Sequence, residues 1–455
     1  MKKYDVIIIG GGPAAIVTGV TIKRYFPEKT ALMVKQDSEG LVPCGIPYIF
    51  HLLGKDADKN KMGPKPFIDQ GGEVIIDQAI EVDQAKKSVK LKSGEEHQYE
   101  KLVFATGSQP VIPTFIPGYD LENVFYIKKS YTYIKELAAK ISGYRNVVIV
   151  GGGFIGAEVA EQLAAEKINV TLVESEQTCF SRAFSSELCQ LATAELKKAN
   201  VNVITSTLLK EISGENKKVK HVLLSDGKKI ETDAVIFSIG YRANSQLAKE
   251  TGLELNRFGD IHVDNYGRTS VKDISAVGDC AQTFGYLTGR SDMVKLASTA
   301  TAEARIVGYN IFGIRIKKCF TGTLAVFSTE INGLAMAAAG ANDHNAKDAN
   351  IELVTGMFSS PDRHPGTLAD TSNLTVKLYA SVINGAILGG EVWGGKSVGE
   401  IINIISLAIQ KCVTVYELIS FQIGTHPLLT SSPVNNPIIK AAEEIIYKIK
   451  PCQKS

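Results

Sequence analysis

What this chain lacks narrows its chemistry first. The seven cysteines, Cys44, Cys179, Cys189, Cys280, Cys319, Cys412 and Cys452, are odd in number and irregular in spacing, and no CxxC occurs. That pattern offers neither a disulfide framework nor a thiolate zinc site, so no metal is expected and a reducing, cytoplasmic setting fits best. No charge of one sign dominates: the formal net charge is +2, which gives no electrostatic reason to expect nucleic acid or an acidic membrane surface as a partner. No apolar run approaches the roughly 20 residues that span a bilayer. Met1 to Asp5 leads straight into a strand-like run without the apolar core of a leader, so no signal peptide is expected. At 455 residues the chain is too long for one core, and two or three domains are expected.

Glycine-rich turns are what it has. Asp5-Val6-Ile7-Ile8-Ile9 reads as a short buried parallel strand. Gly10-Gly11-Gly12-Pro13-Ala14-Ala15 follows at once, a helical stretch extends to about Tyr25, and an apolar strand covers Thr30 to Val34. This is a βαβ unit with a G-x-G-x-x-A turn. Gly10 and Gly12 let the backbone turn tightly and approach a pyrophosphate, whose charge rests on the helix N-terminus opened by Pro13, Ala14 and Ala15. About 20 residues on, where an acid commonly holds the ribose hydroxyls, stands Lys35, with Asp37 nearby as a substitute.

The second unit is complete. Asn146 to Val150 is a strand, Gly151-Gly152-Gly153-Phe154-Ile155-Gly156 is a full G-x-G-x-x-G, and a helix runs from Ala157 to about Glu166. The next strand, Asn169 to Val173, ends in Glu174. An acid there accepts bonds from a free ribose diol and repels a 2′-phosphate, so NADH is favoured over NADPH. Two dinucleotide units in one chain point to two cofactors that exchange electrons.

Other segments complete the pattern. Lys101 to Pro110 is a buried strand ending in the small-residue turn Ala105-Thr106-Gly107, and Pro113 and Pro117 mark a crossing between domains. Ala234 to Gly240 is a buried strand ending in glycine; Ser275 to Asp279 is followed by a helix over Met293 to Asn310. From about Cys319 the character changes. Strand-like runs (Leu374 to Ala380, Ala386 to Val392) flank Asn384-Gly385, and amphipathic helices follow over Val398 to Lys411 and Val415 to Phe421. The fold class expected is α/β, with two Rossmann-like dinucleotide-binding domains and a C-terminal α+β domain.

The order of these motifs resembles the flavin-dependent pyridine nucleotide–disulfide oxidoreductases over essentially the whole chain. Gly10 to Ala15, Ala105-Thr106-Gly107, Gly151 to Glu174, Gly278-Asp279 and the C-terminal segment carry the likeness. It implies a discontinuous FAD domain over 1–115 and 246–318. There Gly10, Gly12, Pro13, Ala14, Ala15, Lys35, Thr106, Gly107, Gly278 and Asp279 would hold the flavin nucleotide. It also implies an inserted NAD(H) domain over 116–245, with Gly151, Gly153, Phe154, Ile155, Gly156, Glu174 and Gly240 at the second nucleotide. A C-terminal dimerisation domain over 319–455 would make the protein a homodimer. Phe154 falls where such proteins often place an aromatic that shields the flavin.

Val42-Pro43-Cys44-Gly45-Ile46-Pro47-Tyr48 is similar to the single-cysteine branch of that family. The branch contains coenzyme A disulfide reductases, persulfide or polysulfide reductases, and NADH oxidases and peroxidases. Cys-Gly-Ile-Pro-Tyr is closer to the coenzyme A disulfide type. His426-Pro427 is similar to the histidine–proline pair of the two-cysteine reductases, whose histidine crosses the dimer interface as acid/base; the glutamate that follows it there is missing here.

The resemblance implies electron flow from NADH through FAD to a sulfur substrate by way of Cys44, with His426 protonating the departing thiol. The alternatives are an NADH oxidase or peroxidase in which Cys44 cycles through a sulfenic acid, and an electron-transfer flavoprotein reductase for a protein partner. A thiolate is the attacking species, and a helix start at Cys44 would lower its pKa. Plainer readings stand beside these. Cys44 could be an inert small hydrophobe, His426 a turn residue, Tyr48 a packing residue and Cys280 a buried neighbour. Glu158 and Glu161 could touch the flavin site or serve only the helix dipole; Lys295, Arg363 and His364 could meet an anionic substrate or lie solvated.

Overall fold

The β-branched run Val6 to Ile9 is buried in strand Lys2–Ile9, as the covered centre of a parallel sheet requires. The computed structural model describes residues 1–449, so Cys452 and the last residues of the expected 319–455 region lie outside the described residues. Lys2–Ile9 pairs in parallel with Ala31–Lys35 on one side and Glu96–Phe104 on the other; Glu73–Ile76 extends the sheet beyond Ala31–Lys35. Ile274–Ala276 adds in parallel to the end of Glu96–Phe104, bringing distant sequence to the first glycine turn. The hairpin partner Ser88–Leu91 is joined through a turn in which Gly94 takes a φ of +93°, the left-handed value that glycine permits.

A second, wholly parallel sheet has the order Val124–Tyr126, Ala234–Phe237, Asn146–Val150, Asn169–Val173, Asn202–Ile204. Its helix spans Phe154–Ala165, earlier than the expected start at Ala157, because extended Gly153 occupies the N-cap. A third, antiparallel sheet has the order Phe327–Ile331, Leu334–Gly340, Ile387–Gly394, Asn373–Ser381, Leu353–Pro361. Helices Val398–Gln410 and Pro437–Lys448 cover it. The chain is thus α/β, with two dinucleotide-type sheets, the first mixed and the second wholly parallel, and a C-terminal α+β domain. Met293 to Leu296 is not helical: helix Ala297–Asn310 begins after extended Leu296. Among the described residues no helix is long and apolar enough to cross a membrane.

The second and third sheets share a core, and the Cys44 segment joins it. One cluster unites Ile46, Ile49 and Phe50 of the Cys44 segment with Ala157, Ala160 and Leu163 of the second unit's helix. Ile331, Met336 and Trp393 of the C-terminal sheet belong to the same cluster. Glu391, fully buried in that sheet, adds a polar tie: it accepts the Ser185 backbone N–H at 2.5 Å and the Tyr379 hydroxyl at 3.1 Å. Burial raises its pKa, with the Ser185 bonds acting against that rise.

Gly156 shows how tightly the second helix meets its strand. A Cβ there would lie 1.9 Å from the Gly151 carbonyl oxygen, whereas one at Gly153 would meet nothing within 4 Å. Gly156→Ala is expected to cost about 1–3 kcal/mol as overpacking and to lower the thermal midpoint by several degrees. Gly153→Ala, at φ −74°, should leave that midpoint nearly unchanged in the same calorimetric scan.

Candidate active site

The first turn is built so that only glycine fits. Gly10 has φ +129°, and a Cβ on it would lie 2.0 Å from the Ala105 carbonyl oxygen. Gly12 caps helix Pro13–Tyr25 without a side-chain hydrogen bond, and the space around it is open. Its first-turn N–H groups can therefore receive a phosphate. Gly278, at φ +72°, comes so close to this unit that an added Cβ would be 2.8 Å from the Ala14 Cβ and 3.3 Å from the Ala300 Cβ. Ala15 is fully buried behind the turn.

The loop after Glu96–Phe104 is pinned from the second unit's side. The Thr106 hydroxyl donates to the Asn244 carbonyl oxygen at 2.6 Å, and the Asn244 amide donates to the Thr106 carbonyl oxygen at 3.0 Å. Gly107 (φ +69°) and Gly240 (φ +107°) leave open space where side chains would stand. Asp279 accepts the Ser108 hydroxyl at 2.6 Å and is ion-paired with Lys129. Burial opposes its ionisation, but Lys129 and Ser108 hold its carboxyl below the usual range.

The residues that close the two βαβ units, Lys35 and Glu174, differ in kind. Lys35 is 4% exposed; its aliphatic stem lies under Gly11, and its ammonium donates to the Ser38 carbonyl oxygen at 3.1 Å. Burial lowers its pKa while Glu39 and Asp37 act the other way. At the second turn Glu174 is the acid: Oε2 accepts the Gly152 N–H at 2.5 Å and Oε1 accepts the Glu176 N–H at 2.8 Å. Like Gly12, Gly153 caps its helix without a side-chain bond. Ile155 packs against the shared core, and the Phe154 ring stacks on Phe327 at 5.0 Å with Phe180 and Phe184 edge-on.

Cys44 stands between these units. It lies in the single 3₁₀ turn Pro43–Gly45, and Gly45 is pressed against Asn60, whose amide donates to the Val42 carbonyl oxygen at 3.0 Å. The thiol opens to solvent on one side and is enclosed by protein on the others. That enclosure raises its pKa, the Glu158 carboxylate raises it further, and Lys129 acts in the opposite sense. The lowered pKa expected from a helix start is therefore corrected. The turn is too short for a dipole, its Gly45 and Ile46 N–H groups are taken by Val42 and Pro43, and acids from other elements face the sulfur. Tyr48 is raised as well, by burial first and then by Glu158.

Sequence reasoning passed over Lys129, Ser108, Asn60 and Asn244, which no motif marks. It gave Glu158 and Glu161 a contact with the flavin site or only a dipole role; both bond the C-terminal domain. The Thr329 hydroxyl donates to Glu158 at 2.7 Å and the Asn332 N–H to Glu161 at 2.5 Å. Lys295 is neither solvated nor free, being ion-paired with buried Asp260 at 2.6 Å. Arg363 donates to the Ala369 carbonyl oxygen at 2.8 Å, and Cys280 is fully buried. His426 is not brought to Cys44 within one chain; it sits on an exposed loop of the C-terminal domain.

Burial pushes Glu158 up to about 7 from an ordinary carboxylate value of 4.5, with Thr329 opposing. Between those values the folded chain holds a proton that the unfolded chain has lost, so stability falls as pH rises through that window. Glu158→Gln removes the fall, and its stability relative to the parent should grow by about 3 kcal/mol from acid to mildly alkaline pH. Denaturant unfolding at pH values on either side of the window measures this. Alkylation of Cys44 in the same variant should be faster at mildly alkaline pH, because a carboxylate that raises the thiol is gone.

Comparison with known proteins agrees with this geometry. The family model described as pyridine nucleotide-disulphide oxidoreductase matches residues 4–304, and its dimerisation domain matches residues 326–437. A protein of Methanocaldococcus jannaschii named NADH oxidase is 30% identical over 97% of this chain and 99% of its own length. A Pyrococcus horikoshii protein named NAD(P)H coenzyme A polysulfide/persulfide reductase is 31% identical over 80% of this chain and 82% of its own. The solved NAD-dependent persulfide reductase of A. fulgidus superposes with a TM-score of 0.89 at 29% identity, over 97% of this chain and 83% of that one. With its two open glycine turns and the dimerisation domain behind them, the chain belongs to the pyridine nucleotide–disulphide oxidoreductases, enzymes that use FAD and a nicotinamide nucleotide.

Proposed function

We propose that this enzyme oxidises NADH and reduces a low-molecular-weight sulfur substrate, a disulfide, persulfide or polysulfide, through Cys44, as a cytoplasmic homodimer. The observation that carries this reading is the isolation of the Cys44 thiol. Among the described residues, Cys179, Cys189 and Cys280 are buried, Cys319 is half-buried on a distant loop of the chain, and Cys412 lies by Tyr286 of another region. One thiol faces the place where Asp279, Lys129 and Glu158 converge. The proximity of the names carried by the Pyrococcus and A. fulgidus relatives supports the sulfur substrate.

Gly10, Gly12 and the uncapped helix Pro13–Tyr25 would hold the FAD pyrophosphate, with Pro13, Ala14, Thr106, Gly107, Gly278 and Asp279 around the rest of the nucleotide. Lys35 contributes its stem and no carboxylate. Gly151, Gly153, Phe154, Ile155, Gly156 and Gly240 would shape the NADH site, and Glu174 would accept the ribose diol. Bound FAD would supply the acceptor for the hydride of NADH and the electrons for sulfur. Lys129 is the group of this chain that favours the Cys44 thiolate, and Tyr48 lines the approach.

The test is anaerobic turnover of NADH with coenzyme A disulfide, polysulfide or peroxide, and aerobic turnover with oxygen alone. Reduction of a sulfur acceptor that Cys44→Ser lowers by at least about 100-fold is the expected result. Faster turnover with oxygen alone would favour the oxidase reading, which the M. jannaschii relative's name suggests. Full activity in Cys44→Ser would favour reduction of a protein partner.

A further inference from the structure

We infer that Glu391, on the central strand of the dimerisation domain, is a positioning residue for NADH: from across a domain boundary it holds the turn 180–185 against the second glycine turn. This rests on the NADH reading of Gly151 to Glu174 above.

The connection is a continuous chain of bonds. The Gly152 N–H donates to Glu174 Oε2 at 2.5 Å. The Gly152 carbonyl oxygen accepts the Phe180 N–H at 2.9 Å, and the Phe180 carbonyl oxygen accepts the Ala183 N–H at 2.8 Å and the Phe184 N–H at 3.3 Å. Ser185, the next residue, donates its N–H to Glu391 Oε1 at 2.5 Å, and the Tyr379 hydroxyl holds Oε2 at 3.1 Å. Glu391 is wholly buried in strand Ile387–Gly394, the middle member of the third sheet, so its carboxyl is a fixed point for the turn. The Asn342 amide, from the same domain, donates to the Ala183 carbonyl oxygen at 3.5 Å.

The turn needs such a hold. Phe180 has φ +60°, a conformation that a bulky side chain rarely adopts and keeps only where its surroundings over-determine it. Phe180 and Phe184 are buried and set at 5.3 and 5.8 Å from the ring of Phe154, the first residue of the helix after Gly153. Phe327, also of the dimerisation domain, stacks on that ring at 5.0 Å. Released from Glu391, the turn can relax Phe180 toward negative φ, which shifts the donor to Gly152 and the two rings that seat Phe154. The loss falls on the shape of the nucleotide site and leaves Cys44 and the first glycine turn untouched.

The experiment is anaerobic stopped-flow reduction of the FAD-loaded protein by NADH, followed at the flavin absorbance. Reoxidation of the dithionite-reduced protein by ferricyanide reads the flavin without the NADH site. Glu391→Met fills the space without an acceptor and leaves the Ser185 N–H unpaired. Its NADH dissociation constant should rise about 10-fold, with the limiting reduction rate and the reoxidation rate within about twofold of the parent. Glu391→Gln keeps an oxygen for Ser185 and should stay within about threefold of the parent on every readout. In a Phe180→Gly background, where the left-handed backbone is unstrained, Glu391→Met should add less than about twofold, because both substitutions act on one turn. In the parent, saturating NAD⁺ should slow hydrogen exchange of the 180–186 amides by at least about threefold, a measurement that needs no variant to fold. An unchanged NADH dissociation constant in Glu391→Met overturns the proposal. So do equal losses in reduction and reoxidation, which mark a general structural role, and parental exchange that NAD⁺ leaves unaltered. A parent whose flavin NADH does not reduce removes the NADH reading itself.

Discussion

The seating of the Cys44 segment on helix Phe154–Ala165 is the contact on which the rest depends. Ile46, Ile49 and Phe50 share a core with Ala157, Ala160 and Leu163. Polar ties flank that seam: the Leu52 N–H donates to Gln162 at 3.2 Å, and Glu166 binds His51 at 2.7 Å and Lys55 at 2.6 Å. Residues a turn apart on this helix share a face, so the helix that packs the cysteine loop also presents Glu158 to it. Apolar burial thus fixes which charged groups the sulfur meets.

Those charges make a site in tension. Two carboxylates and partial enclosure favour the thiol, and one lysine, itself paired with Asp279, favours the thiolate. The two nucleotide turns are also unlike. Glu174 accepts two backbone N–H groups and keeps a carboxylate under the second turn, while Lys35 turns its ammonium to Ser38 and offers the first turn only methylene surface. The same backbone motif therefore presents opposite chemistry beside its two copies.

Much of this was legible in the chain. Gly10, Gly151 and Gly156 are read from spacing because backbone approach demands them, and the alternation around Asn384-Gly385 marks a hairpin whatever lies elsewhere. Element ends were less legible: the helix after Gly153 begins three residues before its apolar pattern, since a cap is a matter of backbone angle. The Cys44 pKa was misread for a different reason. Local sequence shows a proline-led helix start, but the groups that set the thiol's environment come from strands and helices far along the chain. Asn60, Lys129 and Glu158 carry no motif; only the packed fold makes them neighbours.

The core shared by the Cys44 segment, the second sheet and the third sheet has a mechanical consequence. Ile46, Leu163 and Met336 belong to one dry cluster, and Glu391 fastens the second unit to the third sheet through Ser185. Separating the second unit from the third sheet would therefore open apolar surface to water. Phe154, half-buried and stacked on Phe327, stands at the rim of that cluster, so its ring is held by the two domains together.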